Sequence, residues 1–203
     1  MSKRVYISAD YDKMSGDRKV VDILNAWGSD LLHKTEFVDT AKVASGSVSD
    51  GPDCRPCDLK KEFNRQINAS SAVIFVVGDR TALRTAGNKC ERAYWSQYAC
   101  QCTPYKQNAY GMKLCKVSSV YAHTPSEDMS CINNYSYLRH EFEQAKFKGK
   151  RIIVVYNSLY KQPSWLPPYM KAYESQAKPF WTRNNNYDIV GNYYMIKEAL
   201  GYA

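Results

Sequence analysis

The segment Tyr137 to Asn157, YLRHEFEQAKFKGKRIIVVYN, decides the fold. Leu138, Phe142 and Ala145 recur at i, i+4 and i+7, the stripe of an amphipathic helix that can lie on a sheet. Gly149 stands where a left-handed residue ends such a helix, and Lys146, Lys148 and Lys150 gather near its negative end. Arg151 to Tyr156 is then apolar without alternation, as a strand covered on both faces must be. On the helix face away from the stripe, Tyr137 and Glu141 stand at i, i+4, so that a ring and a carboxylate project together. Both belong to the first two turns. In an αβ unit those turns lie near the carboxyl edge of the sheet, where such folds bind ligands.

The same alternation extends in both directions. Arg4 to Ala9 reads as a first strand, followed by a helix with Val20, Leu24, Trp27 and Leu31 on one face, entered through the cap signal Ser15-Gly16-Asp17. Thr35 to Asp39 is a short second strand. Residues 40–57 form a polar loop rich in Gly, Ser, Pro and Asp. Asp58 is placed to cap a second helix whose Leu59, Phe63 and Ile67 share a face, and Ser71 to Val77 is the most apolar strand of the chain. Residues 80–135 break the rhythm and read as an irregular insertion, with a possible helix from Cys90 to Cys102. Beyond the opening segment, Pro163 to Pro168 is a rigid connector and Lys178 to Thr182 a short edge strand. Ile189, Tyr193, Ile196 and Leu200 mark a closing helix.

Strands alternating with helices imply right-handed crossovers and a parallel sheet covered on both sides. The expected fold is therefore α/β: a single flavodoxin-like domain of three layers. Its central, mostly parallel sheet has four or five strands in the order 2-1-3-4-5, and the insertion precedes the third main helix. The switch point then falls between the first and third strands. Ser8, Ala9, Asp10, Tyr11 and Asp12, together with Gly78-Asp79, would flank the cleft that Glu141 overlooks.

Composition narrows the function classes. With 203 residues and 44% hydrophobic content the chain has enough material for one ample core. No apolar run approaches the ~18 residues that span a bilayer, and the N-terminus lacks an apolar signal core, so a cytoplasmic protein with no membrane partner is expected. Seven cysteines are then reduced thiols. A net charge of +8 favours anionic partners. Nucleic acid is disfavoured, because basic residues are not interleaved with aromatics and no zinc-finger or helix-turn-helix spacing occurs. No Walker or GxGxxG loop is present. Cys54-Arg-Pro-Cys57 lacks the buried strand that precedes a thioredoxin-type motif. The insertion's cysteines with His123 lack paired CxxC knuckles, so no metal site is expected.

With these pieces placed, the chain resembles the TIR-like domain family, in particular the TIR-like subunit of the bacterial Thoeris antiphage defence system. The first strand VYISADYD, leading to Arg18, is similar to the family's opening strand. Residues 40–57 take the place of its BB loop. YLRHEFEQAKFKGKRIIVV resembles the family segment W-x-x-x-E-x-x-x-A-x-x-x-G-K before an apolar strand. On that match Glu141 takes the catalytic glutamate position and Tyr137 the tryptophan position, a departure from the commoner pattern. The match covers roughly residues 3–79 and 136–200 and leaves the insertion out.

The resemblance implies cleavage of the nicotinamide–ribose bond of NAD, which is substrate and not cofactor. The product would be a linear or cyclic ADP-ribose-derived signal that activates a separate effector. An anionic Glu141 would stabilise an oxocarbenium-like ribose, with Tyr137, Tyr6 or Tyr11 offering a face for a ring to stack on. Ser8, Ala9, Asp10 and Asp79 complete the expected substrate-binding set. Several have a plainer alternative: a solvated helix carboxylate for Glu141, rim packing for Tyr137, turn and cap roles for Ser8, Asp10, Asp12 and Asp79, and an exposed helix salt bridge for Arg18, whose charge would otherwise neutralise a diphosphate. Two rival functions follow. One is a non-catalytic TIR module that self-associates through the 40–57 loop. The other is a flavodoxin-like deoxyribosyltransferase acting on nucleosides.

Overall fold

The structure is a computed structural model; it describes residues 3–10, 16–30, 33–40, 55–84 and 136–202. The expected elements Cys90–Cys102, most of the 40–57 loop and most of the insertion lie outside the described residues, as do Tyr11, Asp12, Ser15 and Leu31.

In chain order the elements are β1 (Lys3–Ser8), α1 (Asp17–Trp27), β2 (Thr35–Asp39), α2 (Arg55–Ala69), β3 (Ala72–Val77) and a 3₁₀ turn at Thr81–Leu83. After them come α3 (Tyr137–Phe147), β4 (Arg151–Tyr156), 3₁₀ turns at Pro163–Trp165 and Pro168–Tyr173, β5 (Lys178–Pro179), the hairpin β6 (Trp181–Arg183) and β7 (Ile189–Gly191), and α4 (Tyr193–Ala199). The main sheet has five strands in the order β2-β1-β3-β4-β5, all paired in parallel. This is the flavodoxin-like order, with its switch point between β1 and β3.

The apolar strands feed two layers by strict alternation. In β3, Val73, Phe75 and Val77 join Leu59, Phe63 and Ile67 of α2 and Phe142 and Ala145 of α3 on one side. Ala72, Ile74 and Val76 join Val20, Val21 and Leu24 of α1 and Met195 and Ile196 of α4 on the other. A strand with side chains buried on both faces cannot alternate polar with apolar residues, which is why β3 and β4 read as unbroken runs.

The end of α3 follows from one glycine. Gly149 has φ +59°, its N–H donates to the Lys146 carbonyl at 2.9 Å, and the Lys150 N–H donates to the Ala145 carbonyl at 2.9 Å. That pair of bonds is a Schellman stop. Lys150 serves a different helix from the one expected. Its Nζ donates to the carbonyls of Asn68 and Ser70, both at 2.7 Å, and so caps the end of α2.

Four element boundaries differ from the sequence reading. Helix α2 starts at Arg55, ahead of Asp58, because Pro56 fits a first turn whose N–H groups have no helical acceptor. Helix α1 is entered through Gly16 at φ +78° with no side-chain cap. The edge strand stops at Pro179, which cannot extend the ladder, and the chain turns at Phe180 into the hairpin. Ile189 belongs to β7 and is 52% exposed. The closing helix begins later, where the Asn192 side chain accepts the Met195 N–H at 3.2 Å.

Candidate active site

Helix α3 begins at Ser136, whose hydroxyl accepts the Arg139 N–H at 3.3 Å. One turn later Glu141 points at the end of β1. The Tyr6 hydroxyl donates to Glu141 Oε1 at 3.1 Å, and the Ser8 hydroxyl donates to Glu141 Oε2. Tyr6 and Ser8 reach it together because alternate β1 residues face the α2–α3 layer. Thr40, just past β2, closes the group. Its hydroxyl lies 3.1 Å from the Tyr6 oxygen and 2.9 Å from the Ile7 carbonyl. With the Tyr6 proton given to Glu141, the single Thr40 proton is shared among three acceptors within reach: the Tyr6 oxygen, the Ile7 carbonyl and Glu141 itself.

Glu141 has no exposed surface. Burial pushes its carboxyl up to about 8, against the pull of the Ser8, Tyr6 and Thr40 hydroxyls, which favour the charged form. Around pH 7 it is largely a neutral acid, and it then donates to one of the two hydroxyl oxygens in place of accepting from both. Burial and the neighbouring Glu141 likewise hold the Tyr6 phenol well above its ordinary value, so Tyr6 stays a donor.

The other expected site residues separate. Tyr137 does not project beside Glu141 from an open face. It is buried in the α2–α3 layer, edge-on to Phe63 with ring centroids 5.7 Å apart. The reason is that α3 touches two neighbours, the sheet and α2. His140 meets Asn64 at 2.8 Å and Gln144 meets Asn68 at 2.9 Å along the same contact. Ala9 packs in the opposite layer with α1, so its methyl faces away from Glu141. Asp10 is buried and paired with Arg84. Asp79 is exposed, and the turn after β3 is closed by Thr81, whose hydroxyl accepts the Gly78 N–H at 2.8 Å. Arg18 bridges Asp22 at 3.0 Å and Asp39 at 3.4 Å, which is its structural role.

Three participants escape the sequence reading. Thr40 opens what reads as a polar loop. Asn157 ends the β4 run with no spacing to mark it. Asp17 reads only as part of a cap signal. It is buried, and burial raises its carboxyl to about 7 while bonds from Asn157 and the Asp10 backbone oppose the shift. A carboxyl one turn or less into a helix that starts at the carboxyl edge of a sheet is the signal that marks it.

The fold and site thus define a flavodoxin-like α/β domain with a hydroxyl-bonded carboxyl at the switch point. No family model matches the sequence, and no curated protein matches it. Among solved structures, a prokaryotic SEFIR domain aligns over 98% of this chain and 94% of that one, at 12% identity and a TM-score of 0.44. The fold is defined by the parallel strand order β2-β1-β3-β4-β5 and its register. Among the described residues no helix is long and apolar enough to cross a membrane.

Proposed function

We propose that the chain is a TIR-like enzyme that cleaves the nicotinamide–ribose bond of NAD, with Glu141 as the catalytic residue. The observation that carries this reading is the meeting of Glu141 with Ser8 and Tyr6 at the end of β1, beside the switch point. Nicotinamide leaves as a neutral ring from a cationic pyridinium. The C–N bond pair goes to the ring nitrogen, and no acid is required. A carboxylate beside the ribose stabilises the cation left behind. The resting acid is suited to this chemistry, because a pyridinium within about 4–6 Å lowers the carboxyl's pKa. As the site parts to admit substrate, the acid gives its proton to solvent water and the anion forms where it is needed. Water as acceptor yields ADP-ribose and an adenine nitrogen yields a cyclic product. In bacterial antiphage immunity such a product would carry the signal to a separate effector.

One observation favours a second reading. Glu141 is sealed from solvent, so substrate entry requires the side chains around it to part. A non-catalytic module that self-associates through residues 40–57 needs no such opening. Incubation of the purified chain with NAD, with and without phage-infected lysate, separates the two. Nicotinamide release that vanishes in Glu141→Gln supports the enzyme. Silence under every trigger, with self-association intact, supports the module. Turnover of deoxynucleosides in place of NAD would point to a transferase.

A further inference from the structure

The end of β1 is gripped from both layers. On one side the Ser8 hydroxyl meets Glu141. On the other stands Asp17, the first residue of α1. Asn157 Nδ2 donates to Asp17 Oδ1 at 2.8 Å, and the Asp10 backbone N–H donates to the same carboxyl. The carboxyl rests on Gly78, where an added Cβ would stand 2.7 Å from Asp17 Oδ1. Asn157 is itself held, because Trp181 Nε1 donates to its Oδ1 at 2.6 Å. One side chain therefore ties together the chain leaving β1, β3 and β4. Ser8 is the last residue of β1, so the direction of its hydroxyl depends on how the backbone leaves the strand. The Asp10 amide, two residues on, sets that exit.

We propose that Asp17 is the positioning residue of this site: by holding the Asp10 amide it fixes the end of β1 so that the Ser8 hydroxyl meets Glu141. Its catalytic consequence rests on the NAD-cleaving reading; its geometric half does not. The charged groups facing Asp17 are Asp10, itself paired with Arg84, and Asp79. Both add negative charge, while the N–H donors of Asn157 and the Asp10 backbone favour the Asp17 anion.

The test uses the full chain with ¹³C-labelled carboxyls and follows the titration of Glu141 beside nicotinamide release. In Asp17→Ala the Glu141 midpoint should move upward by about half a pH unit or more, because a misplaced Ser8 no longer favours the anion. Under the NAD-cleaving reading kcat should fall by about tenfold or more with little change in KM, since the lost contact acts on the developing charge. Asp17→Asn, which keeps an oxygen to accept the Asp10 amide, should restore most of both. A folded Asp17→Ala with an unmoved Glu141 midpoint overturns the proposal. If Asp17→Ala does not fold, Gly78→Ala decides in the same way, because its methyl displaces the Asp17 carboxyl. Shifted midpoints with no nicotinamide release in the wild type would sink the NAD-cleaving reading and leave the positioning role. Glu141-dependent release with an unmoved midpoint would do the reverse.

Discussion

Glu141 and Glu143 stand on one helix and meet different surroundings. Glu143 pairs with Lys146 at 3.5 Å on a partly exposed face, an arrangement worth little. Glu141 is buried under three hydroxyls. Removing a donor should therefore matter at one position and not at the other. Ser8→Ala and Tyr6→Phe each delete a bond that favours the Glu141 anion, so each should raise its pKa further. If the ionised acid is what acts on NAD, wild-type kcat/KM should climb with pH, pass its midpoint near the value of about 8 to which burial pushes Glu141, and level off about one pH unit higher. The climb should sit at higher pH in Ser8→Ala, while Glu143→Gln should leave it in place. A flat kcat/KM profile from pH 6 to 10 would remove Glu141 from the chemistry.

Helix α3 shows which parts of an element its own sequence can specify. Its stripe of Leu138, Phe142 and Ala145 and its stop at Gly149 are legible because both depend on local spacing and on one backbone conformation. A Cβ at Gly149 would meet nothing within 4 Å, so Gly149→Ala tests the conformation alone. At φ +59° it should lower the urea midpoint by the equivalent of about 1–2 kcal/mol, and Gly149→Asn by less. Phe142 is fully buried, with Phe75 at 5.3 Å, Tyr169 at 5.6 Å and Tyr173 at 5.5 Å between ring centroids. Phe142→Ala should cost about 3–5 kcal/mol in the same measurement. The place of Tyr137 is not legible, because its surroundings are set by α2, distant in sequence, and no periodicity within α3 reports a second helix. Ile189 fits the spacing of the closing helix. Gly191 nevertheless places the hairpin against Trp27, where a Cβ would come within 2.8 Å of the ring, and Asn192 starts the helix after it.

Across the chain the strand order is legible, since alternation and crossover handedness leave few topologies. How deeply the carboxyls lie is not, because burial depends on which turn of a helix meets the end of which strand. That depth has a consequence for the molecule as a whole. Glu141 is raised from 4.5 to about 8 and Asp17 from 3.8 to about 7, both chiefly by burial. Below about pH 4 the folded and unfolded chains hold these protons equally. Between about pH 4 and 8 the folded chain binds more of them, so its stability falls as pH rises, by up to about 1.4 kcal/mol per pH unit for each group. Above about pH 8 the decline from these two groups ends. Glu141→Gln mimics the neutral acid and lacks its share of the slope. It should match the wild type near pH 4, melt at higher temperature than the wild type at pH 8.5, and gain further when combined with Asp17→Asn. Calorimetric melting from pH 4 to 9 measures this directly. A wild type that grows more stable across that window, or a Glu141→Gln variant that loses stability at its alkaline end, would mean that the buried carboxyl is held as an anion.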